Sequence, residues 1–454
     1  MKFIDLFSGI GGFRSGLEKN GHKAIAYSEV DKYAKQSYTS IYETSEELDL
    51  GDITKVSNEQ WQDLKGKANI IVGGSPCQSF SLAGKRRGFE DTRGTLFFHY
   101  VNAIKEVQPE FFIFENVKGM ISHDKGETIK TVLSSFNEIG YDIDFDVFNS
   151  KYYGVPQNRE RIYIVGKRKD LGINESRESV KGKKKLDQLK NWAIENINYV
   201  KLLPENNNEN VEKRLVDVLE DKVDEKYYLS EEKTKKLTLN LDLTESKKSD
   251  IAIKQVGNIV DNKETFGGNP QRGRVYNSEG LSPALNCMRG GGLEPKIAVR
   301  EATKQGYAIA EQGDSVNVTY PDSKTRRGRV GKQVAQTLQA GEVNQGVIIN
   351  PLKDKTYKSW RSEQNVFDSN GITRSLKASL GGTPEIINKK YNQLRIRKLT
   401  PLECWRLQGF KDEQFYKAKD NGVSNSQLYK QAGNAVTVNV VDAITKELIK
   451  HGLQ

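Results

Sequence analysis

The chain has 454 residues, 29% of them charged and 9% aromatic, with a formal net charge of +10 and a pI of about 9.1. Two or three domains fit that length, no apolar run reaches a membrane span, and the basic balance favours a polyanionic partner, nucleic acid first, over a merely solvated surface. Three scattered cysteines (Cys77, Cys287 and Cys404) exclude a disulfide framework and point to a reducing cytoplasm, while the four histidines have no metal-ligand spacing and give no expectation of a metal.

Lys2 enters a strand directly, with no signal peptide ahead of it. KFIDL then runs into Phe7-Ser8-Gly9-Ile10-Gly11-Gly12-Phe13 and a helical pattern through Glu18. Strand, glycine turn and helix open a nucleotide-type α/β unit. A dinucleotide fingerprint begun at Gly9 would need a glycine where Arg14 stands, so the turn suits a cofactor without a pyrophosphate better than NAD. The second strand, about Ala24 to Ser28, ends at Glu29, the usual place for a carboxylate that accepts ribose hydroxyls. Asp52, after Leu50-Gly51, would close the same pocket near a base ring. Either acid alone reads equally well as a loop acid; with the glycine turn they outline an adenosine pocket whose negative charge suits a cationic cofactor.

Asn69 to Val72 is a β-branched run of the kind buried on both faces of a parallel sheet. Gly73 and Gly74 end it, and Pro76 holds Cys77 in a turn at the carboxyl end of a strand, where open α/β sheets bind ligands. An average cysteine is a small buried hydrophobe; here the glycines and polar neighbours make Cys77 the candidate nucleophile. Ser79 to Thr95, with Gly84, Gly88, Gly94 and the basic group Lys85-Arg86-Arg87, reads as a hinged, positively charged lid rather than an ordinary surface loop. Phe97 to Val107 reads as a helix. Phe111 to Phe114 is a buried strand that delivers Glu115-Asn116-Val117 to the same sheet edge as Cys77. A further strand, Tyr141 to Phe148, leads to Arg159 and Arg161, which alternate along an extended segment and so share a face.

Residues 171 to about 250 turn rich in Lys, Glu and Asn and read as a solvated connector with some helix, as at Glu212 to Leu219 and in a Ser230-capped stretch, Lys226 to Leu237. From about 255 to 390 the chain is Gly-rich and strand-like. A weak threefold repeat (274–297, 329–349 and 365–387) suggests β-ribbons. RGR occurs twice, ending at Arg274 and Arg329; Arg272, Arg274, Arg327 and Arg329 are candidates to read guanine edges, against the alternatives of phosphate contact or plain solvation.

DLFSGIGGF, GGSPCQSFS, ENVKGM and QNRERIYIVG, followed by LTPLECWRLQGF and QLYKQAGNAVTVNVV, resemble in content and order the DNA (cytosine-5)-methyltransferases of bacterial restriction–modification type. The match covers roughly residues 1–170 and 395–454. The resemblance implies an α/β, Rossmann-like S-adenosylmethionine-dependent fold with a mixed seven-stranded sheet and a second, smaller, β-rich target-recognition domain. The implied division is a catalytic domain over 1–170, connector and target-recognition domain over 171–424, and a return to the catalytic domain over 425–454. Cys77 would be the nucleophile, Glu115 the acid that engages the base, and Arg159 and Arg161 the motif's arginines. Phe7, Gly9, Gly11, Gly12, Pro76, Asn434, Ala435 and Val436 would wrap S-adenosylmethionine, with Glu29 on its ribose and Asp52 near its adenine. Gln78, Ser81, Lys85, Arg86 and Arg87 would contact DNA. Val30 stands where many members carry an aromatic.

The implied partner is double-stranded DNA. A paired restriction endonuclease, a monomeric state and a cytoplasmic, bacterial or phage setting complete the expectation. The chemistry asks for these residue types: a thiolate is an intrinsically strong nucleophile whose ordinary pKa of about 8.5 a positive field lowers. A carboxyl kept protonated can neutralise charge building on the ring, and a base inside a duplex must be flipped out to be reached. Three other readings compete: the same chemistry on transfer RNA, a non-catalytic DNA-binding protein, and an NAD oxidoreductase. The long basic insert argues for DNA, the intact Cys77, Glu115, Arg159 and Arg161 set for catalysis, and Arg14 against NAD.

Overall fold

The structure, a computed structural model, describes residues 1–76, 95–172, 175–205, 211–230, 255–258, 274–276, 296–303, 306–311, 313–321, 323, 325–338, 345–349, 367–368, 386–387 and 395–453. They fall into two units: Met1–Lys213 with Cys404–Gln454, and Arg214–Leu338 with Val343–Glu403, the short piece Gln339–Glu342 going with the first.

The first unit is built on a seven-stranded sheet. Its strands are β1 (Lys2–Leu6), β2 (Lys23–Ser28), β3 (Leu48–Asp49), β4 (Ile70–Gly73), β5 (Phe111–Val117), β6 (Tyr141–Asn149) and β7 (Glu160–Arg168), in the order β3-β2-β1-β4-β5-β7-β6. The first five are parallel; β7 runs antiparallel to both β5 and β6. This is the mixed sheet that the motif order implied. Both faces are covered, which is why β1, β4 and β5 are apolar almost throughout rather than alternating. On one face Ile4, Leu6, Ile71, Phe112 and Phe114 pack against helices Leu96–Val107 and Glu127–Glu138, with the Phe112 and Phe136 rings stacked at 4.3 Å. On the other, Phe3, Ile70, Val72 and Ile113 meet Phe13 and Leu17 of helix Gly12–Glu18 and Val440, Val441 and Ile444 of the last helix, Val438–Lys450.

Two boundaries differ from the sequence reading. Residues 171–213 belong to the first unit: helix Lys185–Asn196 buries Leu189 and Ala193 in its core, so this charged stretch is an outer layer of the domain as well as a connector. The first unit also takes back Cys404 onward, because Trp405 is fully buried there and its indole N–H donates to the Leu428 carbonyl at 3.0 Å. The helix expected over Glu212 to Leu219 is a single 3-10 turn, Leu215–Val218.

In the second unit a four-stranded antiparallel sheet joins Val330–Gly331, Ser315–Asn317, Gln345–Ile349 and Arg395–Lys398, beside a hairpin of Lys296–Arg300 with Tyr307–Glu311. Val299, Ala310, Val316, Ile348 and Ile396 form its small core. Arg397 donates to both Glu403 carboxylate oxygens, at 2.8 and 2.7 Å, with both side chains buried, a fork-to-fork pairing that only arginine offers. Of the expected repeat, 329–338 and 345–349 are described, with the strands Val330–Gly331, Ala335–Gln336 and Gln345–Ile349; most of its other two copies and most of the Ser230-capped helix fall outside the described residues.

Candidate functional site

A cavity of about 980 Å³ opens in the first unit at the carboxyl ends of β1, β2, β4 and β5. It is where a doubly wound sheet leaves a crevice. Phe7, Gly9, Glu29, Asp52, Pro76, Glu115, Arg159, Arg161, Asn434 and Ala435, all singled out in the sequence, line it together.

Its first wall is the turn after β1. Phe7, Gly9 and Gly11 have φ of 54°, 55° and 80°. A left-handed run is cheap at glycine and costs about 1–2 kcal/mol at a residue such as Phe7. Ser8 ties the turn down, its N–H donating to the Ser28 carbonyl and its own carbonyl accepting from Gly11 N. A Cβ on Gly9 would meet nothing within 4 Å, so the backbone there faces open space; one on Gly11 would strike the Tyr42 ring at 2.4 Å. Gly11 and Gly12 therefore support the wall from behind. Glu29 Oε2 accepts from Gly9 N at 2.8 Å and Oε1 from Asp31 N at 2.7 Å, which fixes its carboxylate at the mouth of the turn with lone pairs to spare. Asp52 caps the turn Ile53–Lys55, and the Thr54 N–H and hydroxyl hold its carboxyl below the usual range. Val30 lines the cavity and is 70% exposed, an open apolar surface where no aromatic covers it.

The second wall carries the acid and the arginines. Glu115 lies near the end of β5, buried, and Arg161 Nε meets its Oε1 at 3.1 Å. Burial pushes the Glu115 carboxyl up; Arg161 and Arg159 oppose this and do not cancel it. A Cβ on Gly74 would sit 2.9 Å from Glu115 Oε2, so only glycine lets the Ser75-Pro76 turn approach the acid. The side-chain amide of Asn116 donates to the Ser75 carbonyl at 2.9 Å and fastens the two strand ends together. Arg159 is only 2% exposed. It does not pair with Glu115 but donates to the carbonyls of Gly433 at 3.2 Å and Ala435 at 2.9 Å. Burial and then Arg161 push its pKa down to about 10, which leaves it charged at neutral pH.

The C-terminal segment forms the third wall. Asn434 ends helix Asn425–Asn434, and a Cβ on Gly12 would lie 2.4 Å from the Val436 carbonyl oxygen. Lys430 and Asp31 also line the cavity, and the motif reading missed both. Lys430 Nζ donates to Asp31 Oδ2 at 2.6 Å. Burial raises the Asp31 pKa, but Lys430 and the N–H groups of Ala34 and Tyr33, which Asp31 caps, bring it below the ordinary value. A signal for Lys430 was present, since it precedes Asn434 by four residues and so shares its helix face.

Cys77, Gln78, Ser81, Lys85, Arg86, Arg87 and Arg272 lie outside the described residues, as does the expected lid apart from Thr95, whose hydroxyl caps the following helix by accepting from Phe98 N. Arg274 is described as backbone in a strand. Arg327 is exposed and its Nε donates to the Ala302 carbonyl at 2.9 Å. Arg329 is a correction: it is fully buried, and its guanidinium serves the carbonyls of Asn317, Thr319 and Tyr320, which leaves none of it facing a groove. Cys404 is buried in the first unit. Among the described residues no group of His, Cys, Asp and Glu could hold a metal, and no helix is long and apolar enough to cross a membrane.

The chain is 41% identical over 459 residues to the orphan methyltransferase M.SPRI of Bacillus phage SPR, spanning 99% of this chain and 97% of that one. It is 30% identical over 481 residues to the type II methyltransferase M.BanI of Aneurinibacillus aneurinilyticus, spanning 100% and 96%. It is similar in fold to the crystal structure of a mutant DNMT2 from Spodoptera frugiperda, at a TM-score of 0.50 and 16% identity over 99% of each chain. A family model described as C-5 cytosine-specific DNA methylase matches residues 1–450, and the chain belongs to that family.

Proposed function

We propose that the protein transfers a methyl group from S-adenosylmethionine to C5 of a cytosine flipped out of a specific duplex DNA sequence. The observation that carries this is the meeting, in one cavity, of the glycine turn with Glu29 and of the buried Glu115–Arg161 pair. The residues fit the cofactor. Gly9 leaves room against its backbone, Glu29 has acceptor capacity for ribose hydroxyls, and Glu29, Asp31 and Asp52 give the wall the sign that suits a sulfonium. When bound, S-adenosylmethionine supplies an electrophilic methyl.

The chain's own groups do the rest. Cys77 follows Pro76, which lines the cavity, and its thiolate adds to cytosine C6. Glu115, whose pKa burial raises, donates in its protonated form to N3 and takes up the charge that this addition sends into the ring. C5 would then take the methyl as its bond to the sulfonium breaks and leaves S-adenosylhomocysteine; loss of the C5 proton to a base would return that bond's electrons to the ring and expel the Cys77 thiolate. Arg161 orients Glu115 and contributes the positive field that favours thiolate. Asn434 and Ala435 close the cofactor's side of the cavity, and Arg159 holds them there. Modification at one site protects it from an endonuclease of the same specificity; relatives described both as orphan and as type II methyltransferases leave that pairing to a direct test.

The experiment is transfer from labelled S-adenosylmethionine to plasmid DNA and to transfer RNA, with bisulfite mapping and Cys77→Ser as control. Methylcytosine at one short recurrent duplex sequence, lost in the variant, is the expected result. Label in transfer RNA alone, or none with DNA tightly bound, would overturn the proposal. Digesting the mapped plasmid with an endonuclease that cuts the mapped sequence tests protection.

A further inference from the structure

Tyr320 is the most exposed large hydrophobic side chain among the described residues, at 75%, and it sits at φ 46°. Both features are unfavourable alone. A left-handed backbone costs an ordinary residue about 1–2 kcal/mol, and the ring gains nothing from solvent. Pro321 follows and restricts the Tyr320 backbone further. Such strain persists only where the surroundings over-determine it.

Here they do. Arg329 is wholly buried, and its Nη1 donates to the carbonyls of Asn317 at 3.1 Å and Thr319 at 3.0 Å, while Nη2 donates to that of Tyr320 at 2.7 Å. The Tyr320 carbonyl also accepts from Ser323 N at 3.0 Å. Asn317 Oδ1 accepts from both the N–H and the hydroxyl of Thr319, at 3.1 and 2.6 Å. Glu301 anchors the arginine's own backbone by accepting from Arg329 N at 2.5 Å. A planar fork with five donors is the one side chain that can gather three carbonyls of a turn. The turn is thus built as a rigid mount with a single aromatic at its tip.

The surroundings are basic. Arg326 and Arg327 lie on the segment that leads into Arg329, with Arg327 exposed. The charges of Arg326 and Arg300 add to burial in depressing the Arg329 pKa, against Glu301 alone. An exposed aromatic on a braced turn, in the same unit as the exposed Arg327, complements a duplex: arginine neutralises phosphate and the ring packs on sugar or base. We propose that Tyr320 is a DNA-contacting residue of the second unit, with Arg327 on the backbone beside it, and that Arg329 is the positioning residue that presents it. This rests on the methyltransferase reading only in taking duplex DNA as the partner.

The test uses the full chain and a fluorescent duplex carrying the bisulfite-mapped site, followed by anisotropy at several salt concentrations. Tyr320→Ala is expected to weaken binding about 5- to 20-fold, the scale of one aromatic contact, with an unchanged unfolding midpoint. Tyr320→Phe, which keeps the ring, stays within about twofold of the native affinity. Arg327→Gln lowers the salt slope by about one. Arg329→Lys weakens binding, and adding it to Tyr320→Ala causes no further loss, because it acts through the tyrosine. Tyr320→Ala binding DNA as tightly as the native chain would overturn the proposal. So would a Tyr320→Ala defect confined to self-association, since the ring would then serve a second copy of this chain. A native protein that binds no duplex sinks the methyltransferase reading itself.

Discussion

Gly12 is where the N-terminal turn and the C-terminal segment come closest, and Gly12→Ala measures what that closeness is worth. The new Cβ would lie 2.4 Å from the Val436 carbonyl oxygen and 3.2 Å from the Val436 nitrogen and carbonyl carbon. Ordinary contact needs about 3.5 Å, so the C-terminal backbone must retreat by about 1 Å. Overpacking of that size costs about 1–3 kcal/mol. The retreat carries Ala435 and Asn434 with it, and both line the cavity; if the whole cost falls on the bound state, cofactor affinity drops about 5- to 150-fold. Gly9→Ala is the counterpart. Its Cβ meets nothing within 4 Å, but it needs φ 55° and places a methyl in the cavity. Titration calorimetry with S-adenosylhomocysteine and thermal unfolding separate the two. Gly12→Ala lowers affinity and the unfolding midpoint together, whereas Gly9→Ala lowers affinity with a smaller loss of stability. A Gly12→Ala protein that binds and melts like the native chain would refute the claim that the two ends of the chain are packed without slack.

Arg159→Met removes a buried cation from the Gly433 and Ala435 carbonyls; each such bond contributes about 1.5–3 kcal/mol, so denaturant unfolding shows a loss of at least about 2 kcal/mol and calorimetry shows weakened cofactor binding. Glu115→Gln lowers methyl transfer by about 100-fold or more, the scale of a positioned general acid, without lowering the unfolding midpoint at pH 8. A carboxyl whose pKa is raised on folding holds its proton more tightly in the native chain, so ionising it costs stability as pH rises past the ordinary carboxyl range, and the amide removes that cost. For the same reason transfer by the native enzyme declines as pH rises through the raised Glu115 pKa, a limb that a pH profile of kcat/KM would reveal. Asp31→Asn keeps the helix cap but breaks the pairing with Lys430; both side chains are about a third exposed or more, so screening limits the effect on cofactor affinity to about 5-fold or less, and it fades at 1 M salt in the same titration.

Much of the first unit was legible because its signals are local. Short apolar runs located β1, β4 and β5, and the residues at their carboxyl ends, a glycine turn after β1, Gly73-Gly74 after β4 and Glu115 in β5, located the cavity. Glu29, Asp52 and Glu115 are each within three residues of a strand end, so the sheet brings them together. What could not be read is what depends on distant partners. Arg329 stands in the same RGR triplet as Arg327, yet one is buried and the other exposed, because the carbonyls that claim Arg329 belong to residues 317–320. Residues 171–213 looked solvated because they are rich in Lys, Glu and Asn; Leu189 and Ala193 suffice to dock the helix, and its polar face supplies the composition. Asp31 and Lys430 are separated by 399 residues, and no spacing announces such a pair.

The two arginines of QNRER divide the work in a way that explains the chain's topology. They are two residues apart and both line the cavity, yet Arg161 faces Glu115 while Arg159 reaches the last segment. Burying a guanidinium on two backbone carbonyls is expensive unless those carbonyls have no other donor. Gly433 and Ala435 meet that condition at the end of a helix, where carbonyls lack intrahelical partners. The helix end therefore needs the arginine as much as the arginine needs it. The same segment is pressed from the other side by Gly12, and the final helix is held to the first by the contact of Gly16 with Val441, 2.6 Å from a Cβ that glycine lacks, and by the Asn20–Asp442 hydrogen bond at 2.8 Å. The first and last segments of the chain are thus locked by close small-residue contacts and polar bonds added to the apolar packing of Phe13 and Leu17 with Val440, Val441 and Ile444. Such a lock fixes position as well as adding stability, which is the property that the cavity wall of the proposed transferase requires.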